Sequence, residues 1–268
     1  MGREHAPEQA LERDDARHRQ GHEASGVQVG DPLEAIILAG GKAERLGAAA
    51  EGRPKALVPI AERPLAAYQV AQLARAGVSR VLVSCAAGQE DAFQEELSGL
   101  GPEIVTVPEP EPLGRGGGLR LAAGARREEG DVYALNGDEL LDVDLGALLA
   151  RHRESESAAT IVVTHPRSPF GVVELDGDLV TGFVEAGVLR HWVSCGVYVL
   201  GDEAIAELPE RGDHETTTFP ALAARRRLAA FPHEGFWLTV NTPKELRVAD
   251  EHVRSHPEWL DSPGGAGV

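Results

Sequence analysis

Sulfur is scarce: 268 residues hold two cysteines and one methionine. Cys85 and Cys195 lie far apart with no metal-type spacing, which excludes a thiolate metal site and a disulfide framework. Both are expected to be reduced and buried. No apolar run approaches the length of a membrane span. The N-terminal stretch has no apolar h-region, so no secretory leader is expected and the cytoplasm is the expected compartment. Positive charge is short as well. A formal net charge of −17 leaves no excess of Lys and Arg to neutralise a nucleic-acid backbone or to hold an anionic membrane. It leaves room for a small phosphorylated substrate, which needs only local cations. Neither G-x-x-x-x-G-K-[ST] nor G-x-G-x-x-G occurs. No internal repeat is found, and in particular no hexapeptide repeat, so no β-helix tail is expected.

What is present starts at Glu34–Ile60, EAIILAGGKAERLGAAAEGRPKALVPI. Ala35–Ala39 is a short apolar run that breaks at Gly40-Gly41, the pattern of a buried strand followed by a tight turn. Glycines there let backbone N–H groups approach a ligand. Lys42, Arg45, Arg53 and Lys55 follow within fifteen residues, which points to a polyanion, most simply a triphosphate.

Elements then alternate. The patterning predicts helices over Leu65–Ala76, Glu90–Leu97 and Gly116–Glu129, and strands over Arg80–Ser84, Glu103–Val107 and Asp131–Leu135, with a proline-rich loop from Pro108 to Pro112. Strand, helix, strand with short connections argues for a parallel sheet covered on both faces. The second half changes character. After a helix over Asp144–Arg153 come four β-like runs, Thr160–Thr164, Gly171–Leu175, Leu179–Glu185 and Trp192–Leu200, with turn signals such as Asp176-Gly177 between them. Helices near Glu203–Glu207 and Phe219–Arg225, a strand near Phe236–Val240 and a helix after Pro243 complete the pattern. The polar stretch 1–31 is expected to be a disordered or loosely ordered tail, residues 32–260 one domain, and the Gly/Pro-rich residues 261–268 a flexible C-terminus.

Leu38-Ala39-Gly40-Gly41, Arg45-Leu46 and Arg53-Pro54-Lys55-Ala56-Leu57-Val58-Pro59-Ile60 resemble the two-part signature of the sugar-1-phosphate nucleotidylyltransferases, L-A-G-G-x-G-T-R-L followed by R-P-K-x-L-x-P-[IV]. Ala43 and Glu44 replace the usual Gly-Thr, a variant similar to the loop of the molybdenum-cofactor guanylyltransferases. The resemblance implies an α/β, Rossmann-like nucleotidyltransferase fold, with a mixed central sheet flanked by helices and a β-rich sugar-side extension. It also implies roles. Leu38, Ala39, Gly40 and Gly41 would cradle the nucleotide, Arg45 would hold the departing pyrophosphate, and Lys55 would neutralise the α-phosphate. In Leu135-Asn136-Gly137-Asp138, Asp138 stands just past a predicted strand and matches the family's Mg2+ ligand, while Asn136 and Gly137 lie toward the sugar.

Three further segments carry the likeness. Glu109-Pro110-Glu111-Pro112-Leu113-Gly114 resembles the E-x-x-P-L-G loop that holds the base, with Glu109 or Glu111 accepting from guanine and Gly114 beside it. Gly171, Glu185 and Ser194 match positions near the sugar, although Ala186 replaces the lysine that grips the sugar phosphate; Arg190 or Lys244 is left as its substitute. Trp237-Leu238-Thr239-Val240-Asn241-Thr242-Pro243 matches W-x-D-x-G-T-P with Thr239 in place of the metal-binding Asp, so Asn241 is the preferred second metal ligand over Thr239. The implied reaction joins a nucleoside triphosphate and a sugar 1-phosphate into an NDP-sugar and pyrophosphate, with GTP and a mannose or heptose phosphate preferred and an oligomer allowed. Other readings are a different phosphate acceptor, of molybdenum-cofactor or phosphocholine type, and a non-catalytic nucleotide-binding relative.

Overall fold

The computed structural model describes residues 33–259. The expectations for 1–31 and 261–268 lie outside them. In chain order the elements are β1 Leu33–Leu38, β2 Pro59–Ile60, β3 Arg63–Pro64, α1 Leu65–Arg75, β4 Val78–Ala86, α2 Glu90–Leu97, β5 Glu103–Glu109, α3 Gly114–Ala123, β6 Val132–Asn136, β7 Glu139–Leu141 and α4 Leu145–Ser155. They continue with β8 Ala159–Thr164, β9 Val172–Asp176, β10 Leu179–Val184, β11 Val193–Leu200, α5 Asp202–Ala206, α6 Thr218–Ala224, β12 Leu228–Pro232, β13 Trp237–Thr239 and α7 Pro243–Ser255.

Seven strands form one sheet in the order β12-β8-β11-β6-β1-β4-β5. β1 runs parallel to both β4 and β6, and β4 is parallel to β5. β11 enters antiparallel between β6 and β8. The apolar run of β1 explains its central place, since successive residues face opposite sides and both sides are covered. Ile37 packs with Val83, Leu135 and Val70 of α1 on one face. Ile36 packs with Leu82, Ala134 and Leu119 of α3 on the other.

The order carries the positional information. From β1 the chain moves outward through β4 to β5, then returns to the opposite side of β1 as β6. The carboxyl ends of β1 and β6 therefore flank a topological switch point, where open α/β sheets bind ligands. At that edge Gly137 N–H donates to Leu38 O at 2.8 Å. A Cβ on Gly137 would stand 2.5 Å from the same oxygen, so only glycine permits this approach.

Several boundaries differ from the sequence expectation. β5 runs on through Pro108 to Glu109, so the proline-rich loop starts later and Glu109 ends a strand. α3 covers Gly114–Ala123 rather than Gly116–Glu129, because its last turn closes at Gly124 and the chain then turns back at Ala125 and Arg126. Asp144 is the cap of α4, its side chain accepting from Ala147 N. β12 was not expected; it is the sheet's edge strand and ends in Pro232, where a missing donor is tolerated. In the β-rich half, β8, β11 and β12 extend the central sheet, β9 and β10 pair apart as a two-stranded hairpin, and β13 pairs with β7. Cys85 and Cys195 are both buried and unbridged.

Candidate active site

Lys55 opens a short 3-10 turn, Lys55–Leu57, whose Ala56 and Leu57 are buried in the core. Those two anchors fix the backbone and aim the lysine across the switch point. Its Nζ donates to Asp138 Oδ2 at 2.5 Å and to Asn241 Oδ1 at 2.5 Å. Arg45 sits on a preceding 3-10 segment held down by buried Leu46 and Ala50, and its Nη2 donates to the same Asn241 oxygen at 2.6 Å. Residues separated by up to 196 positions thus meet at one point.

Asp138 follows Gly137 in the tight connection from β6 to β7. Gln69, buried on α1, pins that connection by donating to Asn136 O at 2.8 Å and Glu139 O at 2.9 Å. Asp138 O accepts from Val240 N at 2.9 Å, which draws the end of β13 alongside. Asn241 immediately precedes the cap of α7. Thr242 is that cap, in a capping box with Glu245 and with Pro243 behind it. Glu245 also accepts from Asn241 N at 2.7 Å. With the cap filled by Thr242, the Asn241 side chain is left to face Lys55 and Arg45.

Thr239 points elsewhere. Its hydroxyl donates to Glu139 Oε2 at 2.8 Å, beside Trp237 Nε1 at 2.9 Å. Glu139 is buried, and this burial, reinforced by the neighbouring Asp138 charge, pushes its carboxyl up to about 8. Glu139 and Gln69 escaped the sequence reading. A glutamine inside an apolar helix and an acid next to a more obvious acid carry no pattern of their own.

The other expected residues distribute as follows. Glu109 lies between Gly40 and Gly118, where a Cβ on either would meet its Oε1 at 3.0 and 2.8 Å. Ser84 Oγ donates to Glu109 Oε1 at 2.9 Å and Leu113 N to Oε2 at 3.0 Å. Glu111 faces outward and pairs with Arg211. Ala39 is buried, while Gly40 and Gly41 are exposed beyond the end of β1. Gly114 N-terminally starts α3 with φ +79°, and the first amides of that helix are occupied, Gly116 N donating to Gly212 O at 2.9 Å. Asn136 is buried at the end of β6; its Oδ1 has no partner and its Nδ2 lies 3.5 Å from Tyr198 OH. Ser194 Oγ accepts from Gly196 N at 3.3 Å. Tyr198 OH donates to Glu215 at 3.0 Å, and Arg115 joins Glu215 at 2.7 Å and Asp213 at 2.5 Å, a chain of contacts the sequence did not suggest. Gly171 and Glu185 flank the β9–β10 hairpin, with Gly171 against the Phe183 ring. Arg190 is exposed and only 3.9 Å from Glu174, and Lys244 is exposed on the first turn of α7. The cations that reach Asp138 and Asn241 are Lys55 and Arg45.

The cluster suits a hard divalent cation. Asp138 and Asn241 present two oxygens to one ammonium at equal distance, so the pair already converges on a positive charge. No group of three or more His, Cys, Asp or Glu side chains suited to a metal occurs among the described residues. One carboxylate with an amide oxygen fits Mg2+, which keeps several waters and completes its shell with substrate phosphates.

The profile of the nucleotidyl transferase family matches residues 34–256. The chain belongs to that family. It is 31% identical over 244 residues to the mannose-1-phosphate guanylyltransferase catalytic subunit beta of Xenopus tropicalis, covering 85% of this chain and 68% of that protein. It is 31% identical over 226 residues to the mannose-1-phosphate guanyltransferase of Debaryomyces hansenii, covering 80% of this chain and 62% of that protein. Its fold is similar to that of HddC from Yersinia pseudotuberculosis complexed with GMP-PN, with a TM-score of 0.62, 22% identity, and coverage of 82% of this chain and 99% of that one. As a nucleotidyl transferase it has the mixed α/β sheet that the loop residues led one to expect. No helix among the described residues is long and apolar enough to cross a membrane.

Proposed function

We propose that the chain transfers a guanylyl group from GTP to mannose 1-phosphate, giving GDP-mannose and pyrophosphate. The observation that carries this reading is the meeting of Arg45, Lys55, Asp138 and Asn241 at the switch point between β1 and β6. Two cations and one carboxylate leave a net positive charge there, which a triphosphate would balance. The likeness to mannose-1-phosphate guanylyltransferases over most of the chain supports the choice of acceptor. Glu109 supports the choice of base. A carboxylate fixed by Ser84 and Leu113 keeps lone pairs for the N1–H and exocyclic amine of guanine.

In this reading a phosphate oxygen of the sugar phosphate attacks the α-phosphorus of GTP in line. A new P–O bond forms, the bond from the α-phosphorus to the bridging oxygen breaks, and pyrophosphate leaves with the electron pair. No general base is required, because the nucleophile is already an anion at neutral pH. Lys55 neutralises charge on the α-phosphate, and Arg45 holds the departing pyrophosphate through its planar fork. Asp138 and Asn241 would hold Mg2+, which supplies further charge neutralisation on the phosphates when bound. Gln69 keeps the Gly137-Asp138 connection in place, and so positions Asp138 without touching substrate. Asn136 and Ser194, on β6 and β11, face the acceptor side, and Gly171 and Glu185 reach the sugar from the hairpin.

A pyrophosphate-release panel tests this directly. Five nucleoside triphosphates are crossed with mannose, glucose and heptose 1-phosphates and phosphocholine, in the presence of Mg2+. Turnover is expected with GTP and mannose 1-phosphate above every other pair. Release with phosphocholine alone would move the acceptor out of the sugars, and GTP binding without any turnover would make the chain a nucleotide binder.

A further inference from the structure

An acid that phosphoryl chemistry leaves unused is held close to Asn136. Glu215 lies in the segment between α5 and α6, and three contacts fix it. Its Oε1 accepts from Tyr198 OH at 3.0 Å, its Oε2 lies 2.7 Å from Arg115 Nη2, and its backbone N–H donates to Asp213 Oδ1 at 2.9 Å. Arg115 grips Asp213 as well, with Nε 2.8 Å and Nη2 2.5 Å from Oδ2. The backbone of the same segment is seated on the start of α3. Gly212 N donates to Leu113 O at 2.8 Å, and Gly116 N donates to Gly212 O at 2.9 Å. A Cβ on Gly114 or on Gly117 would stand 2.7 Å from a carbonyl oxygen of that segment, so glycine permits the approach. Tyr198 is wholly buried. Burial and the Glu215 charge hold its phenol well above the usual range, so it stays a donor.

We propose, on the reading that the acceptor lies beside Asn136, that Glu215 binds hydroxyl groups of the acceptor and that Arg115 and Tyr198 position it. Tyr198 pairs with Ala134, and Asn136, two residues on, shares that sheet face. Gly196, at φ +71°, brings β11 close, since a Cβ there would stand 2.6 Å from Asn136 Nδ2. That Nδ2 lies 3.5 Å from Tyr198 OH, while Asn136 Oδ1 is buried without a partner in a residue only 9% exposed. The place is short of donors. Asn136 Oδ1 lacks one, and each oxygen of Glu215 keeps a lone pair after its contact with Tyr198 or Arg115. A buried acceptor left unpaired is costly, so a ligand that donates is favoured. Charge narrows the class. Asp213 and Glu215 outnumber Arg115, which disfavours a further anionic group at this point. A quaternary ammonium has no N–H to give to Asn136 Oδ1. Sugar hydroxyls donate and carry no charge. Glu185, by contrast, is exposed beside the hairpin, and ordering it on a sugar costs more than using an acid already held.

Titration calorimetry on the full chain tests this, with pyrophosphate release measured alongside. Mannose, glucose and heptose 1-phosphates, the deoxy derivatives of mannose 1-phosphate, and phosphocholine are titrated into the wild type, Glu215→Gln, Arg115→Met and the double variant, each with a non-hydrolysable GTP analogue present. Glu215→Gln keeps the shape of the side chain. It is expected to weaken the favoured sugar phosphate about tenfold to a hundredfold, the usual loss of a hydrogen bond to a charged group, with affinity for the GTP analogue unchanged. One deoxy derivative is expected to lose as much with the wild type and to lose nothing further with Glu215→Gln, an outcome that a merely structural effect does not produce. Arg115→Met is expected to weaken the same sugar phosphate in the wild-type background and to add little to Glu215→Gln, while Arg115→Lys restores part of the affinity. Sugar-phosphate affinity that Glu215→Gln leaves unchanged overturns the proposal. So do deoxy losses that are the same in both backgrounds, binding of no sugar phosphate, or phosphocholine bound above all of them. The transfer reading fails separately: a chain that binds a sugar phosphate through Glu215 yet releases no pyrophosphate keeps the hydroxyl site and loses the reaction.

Discussion

Two cations aimed at one neutral amide oxygen are costly to hold together unless an anion joins them, and this arrangement decides the account at the scale of single residues. Arg45 and Lys55 both reach Asn241 Oδ1, and Asp138 is the carboxylate that Lys55 touches. Lys55→Ala is expected to lower kcat by about 10²–10³, the usual cost of removing one preorganised electrostatic donor. Its KM for GTP should move far less, which steady-state kinetics would show. Asn241→Ala is expected to raise the Mg2+ concentration needed for half-maximal rate, while Thr239→Val leaves that concentration unchanged, since Thr239 serves Glu139 instead. An Mg2+ titration of the two variants checks this. The residues legible from sequence were those with distinctive chemistry at a loop: Arg45, Lys55, Asp138 and Asn241. Gln69 and Glu139 were not legible, because their importance lies in which backbone or side chain they face, and only the fold brings those partners near.

At the scale of elements, the edge where β1, β4 and the segment after α3 meet is closed by a buried ion pair. Arg80 Nη1 donates to Glu34 Oε1 at 2.7 Å, and Glu34 Oε2 accepts from the amides of Arg127 and Glu128. Removing Glu34 strips buried Arg80 of its close carboxylate and leaves it the longer 3.6 Å pairing with half-exposed Glu103. Glu34→Ala is expected to cost about 3–5 kcal/mol in urea unfolding, while the double change Glu34→Leu with Arg80→Met costs much less, because no charge is then stranded. Equal costs for the single and the double variant would contradict this assignment. Element type was legible wherever periodicity was strong, as in β1, α1 and β4. Boundaries failed where local signals compete. The run Arg126–Glu129 continues a helix-friendly composition after Gly124, yet Glu34 captures its amides from β1 and ends the helix early. β12 escaped because an edge strand is covered less, and its pattern is correspondingly weak.

At the scale of the molecule, acid sensitivity follows from one buried ring. His214 is wholly buried against Tyr198 and Phe219, neither ring nitrogen makes a hydrogen bond, and burial outweighs nearby Asp213 and Glu215 to push its pKa down to about 4. The unfolded chain takes up this proton near pH 6.5 and the folded chain only near 4. Between those values the unfolded state binds more protons, so stability is fully present above pH 6.5 and falls as pH drops toward 4. His214→Phe is expected to remove roughly 2 kcal/mol of the loss between pH 7 and pH 5, read as a smaller shift in urea midpoint. The sheet order belongs to this scale too and was the least legible feature. Local patterning showed β-like runs in the second half but could not show that β11 slots antiparallel between β6 and β8. Such pairing is set by long-range contacts.

The central claim is guanylyl transfer between two named substrates, and phosphorus NMR of one reaction mixture addresses it most directly. The purified chain is incubated with GTP, mannose 1-phosphate and Mg2+, and the spectrum is followed in time. The account predicts loss of the GTP and mannose 1-phosphate resonances with matched growth of GDP-mannose and pyrophosphate, and no such change with Asp138→Ala. Unchanged reactants, or conversion of GTP to GDP and inorganic phosphate with mannose 1-phosphate left intact, would contradict it.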